Sequence, residues 1–116
     1  MPIRNEDGYI AQSLGSVLAQ DYPHEQMEIL VVDGMSEDST RDIIAEIVKD
    51  HQVPAIQVLD NPNKTAPKAL NIGLQKAQGD IIIRIDGHCK IQPTYVSQCI
   101  QTLEQTDADC AGGVLA

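Results

Sequence analysis

Apolar residues in the first half of the chain follow two alternating periods, one typical of amphipathic helices and the other of buried strands. Helical spacing predicts a first helix between Asp7 and Gln20 and a second helix around Ile43 to Val48. Continuous apolar runs predict strands at Glu28–Asp33 and at Ala55–Leu59, each followed by turn-forming residues. Helix and strand therefore alternate from Asp7 onward.

The second half of the chain continues this alternation. Pro67 fits the first turn of a third helix that Gly79 ends, and the run Ile81–Ile85 predicts a further buried strand. Pro93 opens a last helix, and residues 109–115 predict the beginning of another strand. The rhythm predicts an α/β fold, with a mainly parallel sheet flanked by helices and joined by right-handed crossovers.

The predicted pattern is incomplete at both ends of the chain. A length of 116 residues suffices for one domain. However, only Met1-Pro2-Ile3 precedes the first helix, where a full strand is expected, and the chain stops at Ala116 within its last predicted strand. We therefore expect residues 1–116 to be one part of a domain in a longer protein.

Charge and composition narrow the function classes. Lysine and arginine number 8 against 17 aspartates and glutamates, for a formal charge of −9. This balance excludes a nucleic-acid scaffold, which needs a basic face to neutralise phosphates. Hydrophobic residues make up 42% of the chain, enough for a globular core, but Trp and Phe are missing, which argues against base-stacking platforms. The longest apolar runs fall far short of the about 20 residues of a membrane span.

The three cysteines are Cys89, Cys99 and Cys110. Their odd number and unpaired spacing are typical of reduced thiols in a cytosolic setting. A zinc site built from the three is not favoured, because only His88 lies close to any of them in the sequence. We expect the cysteines to act as small apolar side chains.

Polar residues follow each predicted strand at the point where the strand ends. Ligands of open parallel sheets bind outside these carboxyl ends, so we expect the side chains to line one rim of the sheet. The residues at this rim are Asn5, Glu6, Asp7, Asp33, Ser36, Glu37, Asp38, Asn61, Asn63, Lys64, Asp86 and His88.

Asp86-Gly87-His88 is the most suggestive of these segments. In an extended segment residues two apart point the same way, so Asp86 and His88 could share one ligand, and Gly87 leaves room for a close approach. A carboxylate with an imidazole suits Mn²⁺, or Mg²⁺ bound mainly through the carboxylate. A plain turn is the alternative interpretation, since Asp-Gly after a strand is common turn chemistry.

Simpler interpretations also remain open for the other polar residues. Asp33 can cap the following loop, and Glu6 can act as a first-turn charge on the helix dipole. Lys64 and Lys68 can be solvated surface charges. The chain has no Gly-x-Ser-x-Gly elbow, Walker lysine loop or Gly-x-Gly-x-x-Gly fingerprint.

Four segments, in their order and spacing, resemble the family-two glycosyltransferases. The segments are Pro2–Glu6, Glu28–Thr40, Lys68–Leu74 and Gly79–His88. The resemblance covers the chain from Met1 to about Gly113 and implies a Rossmann-like GT-A fold that uses nucleotide-activated sugars. Arg84 with the Asp-x-His of residues 86–88 is similar to the subgroup that builds bacterial exopolysaccharides such as succinoglycan. Most of the family has Asp-x-Asp at this place.

The resemblance also implies roles for individual residues. Asp86 and His88 would hold Mg²⁺ or Mn²⁺ against the diphosphate of a UDP- or GDP-linked sugar. Asp33 would contact the base, and Ser36 would lie nearby. The implied contacts of the nucleotide-sugar donor are Pro2, Arg4, Glu6, Asp33, Ser36, Lys68 and Asn71.

The reaction that the resemblance implies is an inverting, metal-assisted transfer of a sugar to a glycan or lipid-linked acceptor. The general base is expected beyond Ala116, so this part of the protein is expected to be inactive alone. A cytoplasmic location is implied, with association at the cytoplasmic face of the inner membrane left open through other parts of the parent protein. The alternatives are a nucleotidyltransferase or another sugar-nucleotide-binding α/β domain, and a phospho-acceptor receiver domain.

Overall fold

Parallel strands form the centre of the fold in the computed structural model, which describes residues 1–50, 54–79 and 81–106. Within these ranges the sheet has the strand order β1-β2-β3 and all pairs are parallel. The strands are β1 (Pro2–Ile3), β2 (Glu28–Asp33) and β3 (Ala55–Asp60). Asp33 pairs in register with Ile3 on one side and with Asp60 on the other. The carboxyl ends of the three strands therefore meet at one edge.

Helices connect and cover the strands. Those in the described ranges are α1 (Ile10–Leu18), α2 (Thr40–Asp50), α3 (Ala66–Lys76) and α4 (Tyr95–Thr106), with a short 3₁₀ helix at His24–Gln26. The core joins α1 to β2 and α2 through the buried side chains of Ile10, Leu14, Val17, Ile29, Val31 and Ile44. The prediction of an α/β fold with a parallel sheet is confirmed, and β2 has the predicted bounds.

The prediction of a strand at Ile81–Ile85 is wrong. Residues 81–85 do not join the hydrogen-bonded ladder, although Ile85 is buried in the same core cluster as Ile3. The neighbouring β1 has only two residues, and Pro2 lacks an N–H, so β1 offers too few backbone groups for another parallel partner. Ile81 and Ile82 remain exposed as a result.

Two helix boundaries also differ from the sequence pattern. The third helix ends at Lys76, and its C-cap residue, Ala77, lies two residues before Gly79. The fourth begins at Tyr95, two residues after Pro93. The predicted strand at residues 109–115, together with Cys110, lies outside the described residues. Among the helices of the described ranges, none combines the length and apolar character that crossing a bilayer requires.

One face of α1 carries buried polar side chains that bind a distant part of the chain. The Ser13 hydroxyl donates to the carbonyl oxygen of Gly87 at 2.7 Å, and the Ser16 hydroxyl accepts the N–H of Ile91 at 3.2 Å. The Oε1 atom of Gln20 accepts the N–H of Val96, in the first turn of α4, at 2.9 Å. These bonds place the segment that contains Asp86-Gly87-His88 against α1.

Candidate functional site

The loops after β1 and β2 are joined to each other by hydrogen bonds. The N–H of Asn5 donates to the Ser36 hydroxyl at 2.9 Å, and the N–H of Glu6 donates to the Thr40 hydroxyl at 2.8 Å. Arg4 Nε donates to the carbonyl oxygen of Gly34 at 3.0 Å. The two loops therefore form one rim at the carboxyl edge of the sheet, as expected from the polar residues that follow the strands.

Asp33 lies at the centre of this rim and is fully buried. Its carboxylate accepts the N–H of Ser36 at 3.2 Å and the hydroxyl of the same residue. Arg41 forms an ion pair with Asp33 and a second one with Asp60. Hydrogen bonds to Asp60 and Asp33 raise the pKa of Arg41 above its ordinary value, so the guanidinium holds a fixed positive charge between two strand ends.

The sequence patterns miss Arg41, although a signal is present. Arg41 lies in the first turn of α2, where the helix dipole disfavours a positive charge. A cation in that position requires a carboxylate partner nearby, and Asp33 and Asp60 supply it.

A cleft of about 240 Å³ opens beside this rim and gathers several predicted site residues. Its lining residues are Pro2, Ile3, Arg4, Glu6, Asn61, Lys64, Thr65, Ala66, Ala69, Arg84, Asp86 and His88. Asp33, at the end of β2, and Ser36, in the loop after it, do not line the cleft. Lys68 and Asn71 are exposed on α3 and do not line it either.

Asn61 adds an unused acceptor to the cleft wall. The side chain is buried, and its amide nitrogen donates to the carbonyl oxygen of Thr65 at 2.9 Å. The Oδ1 atom of Asn61 has no hydrogen-bond partner among the residues that the structure describes. A buried acceptor without a donor is costly, so this atom is available to a polar ligand group after a small movement.

Asp86 and His88 meet through a turn instead of an extended segment. The N–H of Cys89 donates to the carbonyl oxygen of Asp86 at 3.2 Å, which closes residues 86–89 into a turn. One potential ligand atom from each of Asp86, His88 and Cys89 lies within 4.8 Å of the others. The structure brings Asp86 and His88 together in space, and it places Cys89, which was expected to be an apolar side chain, beside them.

Charged neighbours surround this turn. Arg84 Nε lies 3.0 Å from one carboxylate oxygen of Asp86, and Glu6 Oε1 lies 3.6 Å from His88 Nδ1. Carboxylate, imidazole and thiol are all donors that divalent transition metals accept, so the side chains present fit a divalent cation such as Mn²⁺.

Gly87 is required at this turn by its surroundings. A Cβ atom there would lie 2.5 Å from Ile3 Cγ2 and 3.2 Å from Glu6 Cγ. The close approach expected of this glycine is therefore made by the side chains of β1 and of the loop after it.

A larger cavity of about 730 Å³ lies on the other side of Pro2 and Arg84. It is lined mainly by apolar side chains of β2, α3 and residues 81–85, and none of Glu6, Asp33, Asp86 and His88 lines it. Because the chemistry expected of this chain needs charged groups, the smaller cleft is the candidate site.

Known proteins resemble this chain in sequence. The profile of glycosyl transferase family 2 matches residues 1–116. Dolichyl N-acetyl-alpha-D-glucosaminyl phosphate 3-beta-D-2,3-diacetamido-2,3-dideoxy-beta-D-glucuronosyltransferase of Methanococcus voltae is 34% identical, over 90% of this chain and 33% of that protein. Glycosyltransferase AglE of Haloferax volcanii is 28% identical, over 97% of this chain and 37% of that protein. The chain thus spans about a third of the length of these curated relatives.

Solved structures resemble this chain in fold. Mannosyltransferase PcManGT from Pyrobaculum calidifontis, in complex with GDP-Man and Mn²⁺, has a TM-score of 0.83 at 26% identity, over 88% of this chain and 30% of that chain. S. aureus TarS 1-349 has a TM-score of 0.81 at 22% identity, over 97% of this chain and 36% of that chain. These likenesses confirm the predicted GT-A fold and do not favour the alternative classes. Because the family profile matches the chain from residue 1 to residue 116, the chain belongs to glycosyl transferase family 2.

Proposed function

We propose that this chain forms the donor-binding part of a glycosyltransferase that transfers a sugar from a nucleoside-diphosphate donor to a glycan or lipid-linked acceptor. The observation that carries the proposal is the cleft at the sheet edge, where Glu6, Asp86 and His88 meet Arg4 and Arg84. Family membership adds the reaction class. The proposed location is cytoplasmic, where nucleotide sugars are available to such a domain.

The charges of the cleft suit a diphosphate that leaves with a cation. Asp86 and His88 would hold Mg²⁺ or Mn²⁺, and such an ion neutralises the leaving diphosphate as a Lewis acid. Arg4, Lys64 and Arg84 also line the cleft and offer further positive charge to phosphate oxygens. Such cations explain how a chain with an acid excess can bind an anionic ligand.

We propose that the base of the donor lies at the rim around Asp33. The Asp33 carboxylate is fully buried and already bound by Ser36 and Arg41, so the base would contact it only after a movement of these neighbours. We propose that Pro2 and Asp33 bound the base pocket, with Ser36 beside it.

The cleft is smaller than a whole donor requires. Pockets for small ligands are typically about 300–1,000 Å³, against about 240 Å³ here. The donor would therefore extend out of the cleft along α3, whose Ala66 and Ala69 line the cleft wall. Lys68 and Asn71, exposed on the same helix, remain proposed donor contacts in this extension.

Nucleotide binding tests the proposal directly. Thermal unfolding is measured with UDP or GDP, each with and without Mn²⁺, and saturation at a hundredfold excess over Kd corresponds to about 2.7 kcal/mol of stabilisation. Asp86→Asn should abolish the part of the shift that depends on Mn²⁺. Glu46→Gln is the matched control, since Glu46 is an exposed acid that pairs with Lys49 on α2.

The proposal fails if neither nucleotide with Mn²⁺ raises the unfolding midpoint, or if Asp86→Asn responds like the wild type. Acetyl phosphate with Mg²⁺ serves as the comparison ligand, because it would stabilise a phospho-acceptor domain instead.

A further inference from the structure

Cys89 occupies a position that core packing does not explain. It is partly exposed at the turn, whereas Cys99 is buried in the core on α4. The hydrogen bond from the Cys89 N–H to the Asp86 carbonyl brings the two side chains together at the ends of the turn. Ligand atoms of Asp86, His88 and Cys89 consequently lie within 4.8 Å of one another.

We propose that Cys89 is a third protein ligand at this turn, so that the site binds a thiophilic divalent cation such as Zn²⁺ or Co²⁺ more tightly than Mg²⁺. The inference deepens the proposed function, because it concerns the ion placed there beside the donor diphosphate. When the metal–sulfur bond forms, the thiol proton passes to solvent and the thiolate binds the cation.

The distances allow such a site with small movements. Bonds of about 2.0–2.3 Å in a tetrahedral site place the ligand atoms about 3.5 Å apart. In the structure the three ligand atoms lie within 4.8 Å of one another. The three side chains are partly or fully exposed, so small rotamer changes can bring these atoms to the spacing of a bound cation. Three protein ligands leave a coordination position open for an oxygen atom of a substrate.

The donor set selects against magnesium. Mg²⁺ requires oxygen ligands in near-octahedral geometry, and this turn offers one carboxylate. Imidazole and thiolate are softer donors that favour Zn²⁺ and Co²⁺. Selectivity is therefore expected to come from His88 and Cys89, with Asp86 contributing charge.

The two charged neighbours of the turn act in opposite directions, since Arg84 opposes a nearby cation and Glu6 adds negative charge beside His88. Arg84 contacts one oxygen of the Asp86 carboxylate at 3.0 Å, which leaves the other oxygen for a cation. Glu6 Oε1 lies 3.6 Å from His88 Nδ1. A carboxylate beside one ring nitrogen commonly orients a histidine whose other nitrogen binds a metal.

Cobalt spectroscopy of the 116-residue chain tests the proposal without any turnover assay. Co²⁺ is titrated in the absence of nucleotide, and a thiolate-to-cobalt charge-transfer band is expected in the near ultraviolet. Cys89→Ser should abolish the band and weaken Co²⁺ binding by about tenfold or more. Cys99→Ser and Cys110→Ser are the matched controls and should retain the band. Zn²⁺ should displace the bound cobalt, whereas an equal concentration of Mg²⁺ should not.

The outcomes separate this inference from the proposed function. Cobalt that binds without a thiolate band, or a band that persists in Cys89→Ser, overturns the role of Cys89 and leaves nucleotide binding untouched. An intact band in a protein that UDP and GDP fail to stabilise would overturn the donor proposal alone. Circular dichroism of Cys89→Ser, and of Cys89→Ala as a second variant, verifies that a lost band does not reflect unfolding.

Discussion

Replacing Gly87 with alanine places a methyl group where β1 already lies. The new Cβ would be 2.5 Å from Ile3 Cγ2, and also 3.2 Å from Glu6 Cγ. Ile3 is buried, and its β-branched side chain has few alternative rotamers. The turn cannot simply move away, because the Ser13 hydroxyl holds the carbonyl oxygen of Gly87 at 2.7 Å.

The size of the effect follows from this contact. Carbon atoms pack best about 3.5–4.0 Å apart, so relief requires a shift of about 1 Å in the turn or in β1. Overpacking of this kind costs about 1–3 kcal/mol. For a chain of 116 residues this corresponds to a fall of about 4–12 °C in the unfolding midpoint. The shift also moves Asp86 and His88 apart from Glu6, so we expect weaker binding of Co²⁺ or Mn²⁺.

Thermal unfolding followed by circular dichroism, with a parallel Co²⁺ titration, measures both effects. Gly15→Ala is the matched control, since a Cβ at Gly15 meets nothing within 4 Å and alanine is favoured within α1 by about 0.5–1 kcal/mol. Adding Ile3→Ala to Gly87→Ala removes the clashing methyl group and should recover part of the loss through a favourable coupling energy. A Gly87→Ala protein as stable as the wild type, or a double mutant with purely additive losses, would refute the reasoning.

Three further predictions concern stability. Ser13→Ala should lower the free energy of unfolding in urea by about 1–3 kcal/mol, because it leaves the buried carbonyl of Gly87 without its donor; an unchanged urea midpoint would contradict this. Arg41→Met should cost about 1–3 kcal/mol by leaving buried Asp33 without its cation, and Arg41→Lys should restore little of it, because one ammonium cannot bridge Asp33 and Asp60 as the guanidinium does; full rescue by lysine in the same assay would argue against the bridge. Burial lowers the pKa of the Met1 amine from 8.0 to about 6, while Asp86 acts in the opposite direction. The folded chain with a free amine at Met1 therefore binds fewer protons than the unfolded chain between pH 6 and 8, so its stability should rise with pH across that window by at most ~3 kcal/mol, and acetylation of the amine should remove this rise.

Local patterns predict most of the elements that the structure describes. The run Glu28–Asp33 forms a strand with the predicted bounds, because its residues 29–32 are all apolar and it lies between two partner strands. Residues 81–85 carry an equally apolar run but form no strand. The difference comes from the partner, since a ladder depends on the neighbouring backbone as much as on the segment itself.

The candidate site divides in the same way. The sequence analysis predicted Glu6, Asp86 and His88 at one edge of the sheet, on the premise that each follows a parallel strand. The structure brings the three into one cleft, but Asp86 and His88 reach it through a turn held against α1, because residues 81–85 form no strand. Cys89 could not, because its position depends on a turn whose geometry the tripeptide leaves open between two interpretations. Ser13 contributes through a partner 74 positions away, which no local pattern encodes. Arg41 pairs with Asp33 only 8 positions earlier, and its positive charge in the first turn of α2 is a local signal that could have identified it.

The buried polar face of α1 has a consequence for the order in which the molecule assembles. Ser13 and Gly87 are 74 positions apart in the chain, whereas each strand and the helix after it are neighbours. Closing so long a loop carries an entropic cost that local βα pairs avoid. We therefore expect β2, α2 and β3 to associate early and the turn at residues 86–89 to dock late in folding. The side chains of the proposed ion site then gain their geometry only in the last step, so we expect ligand affinity to report on completion of the fold.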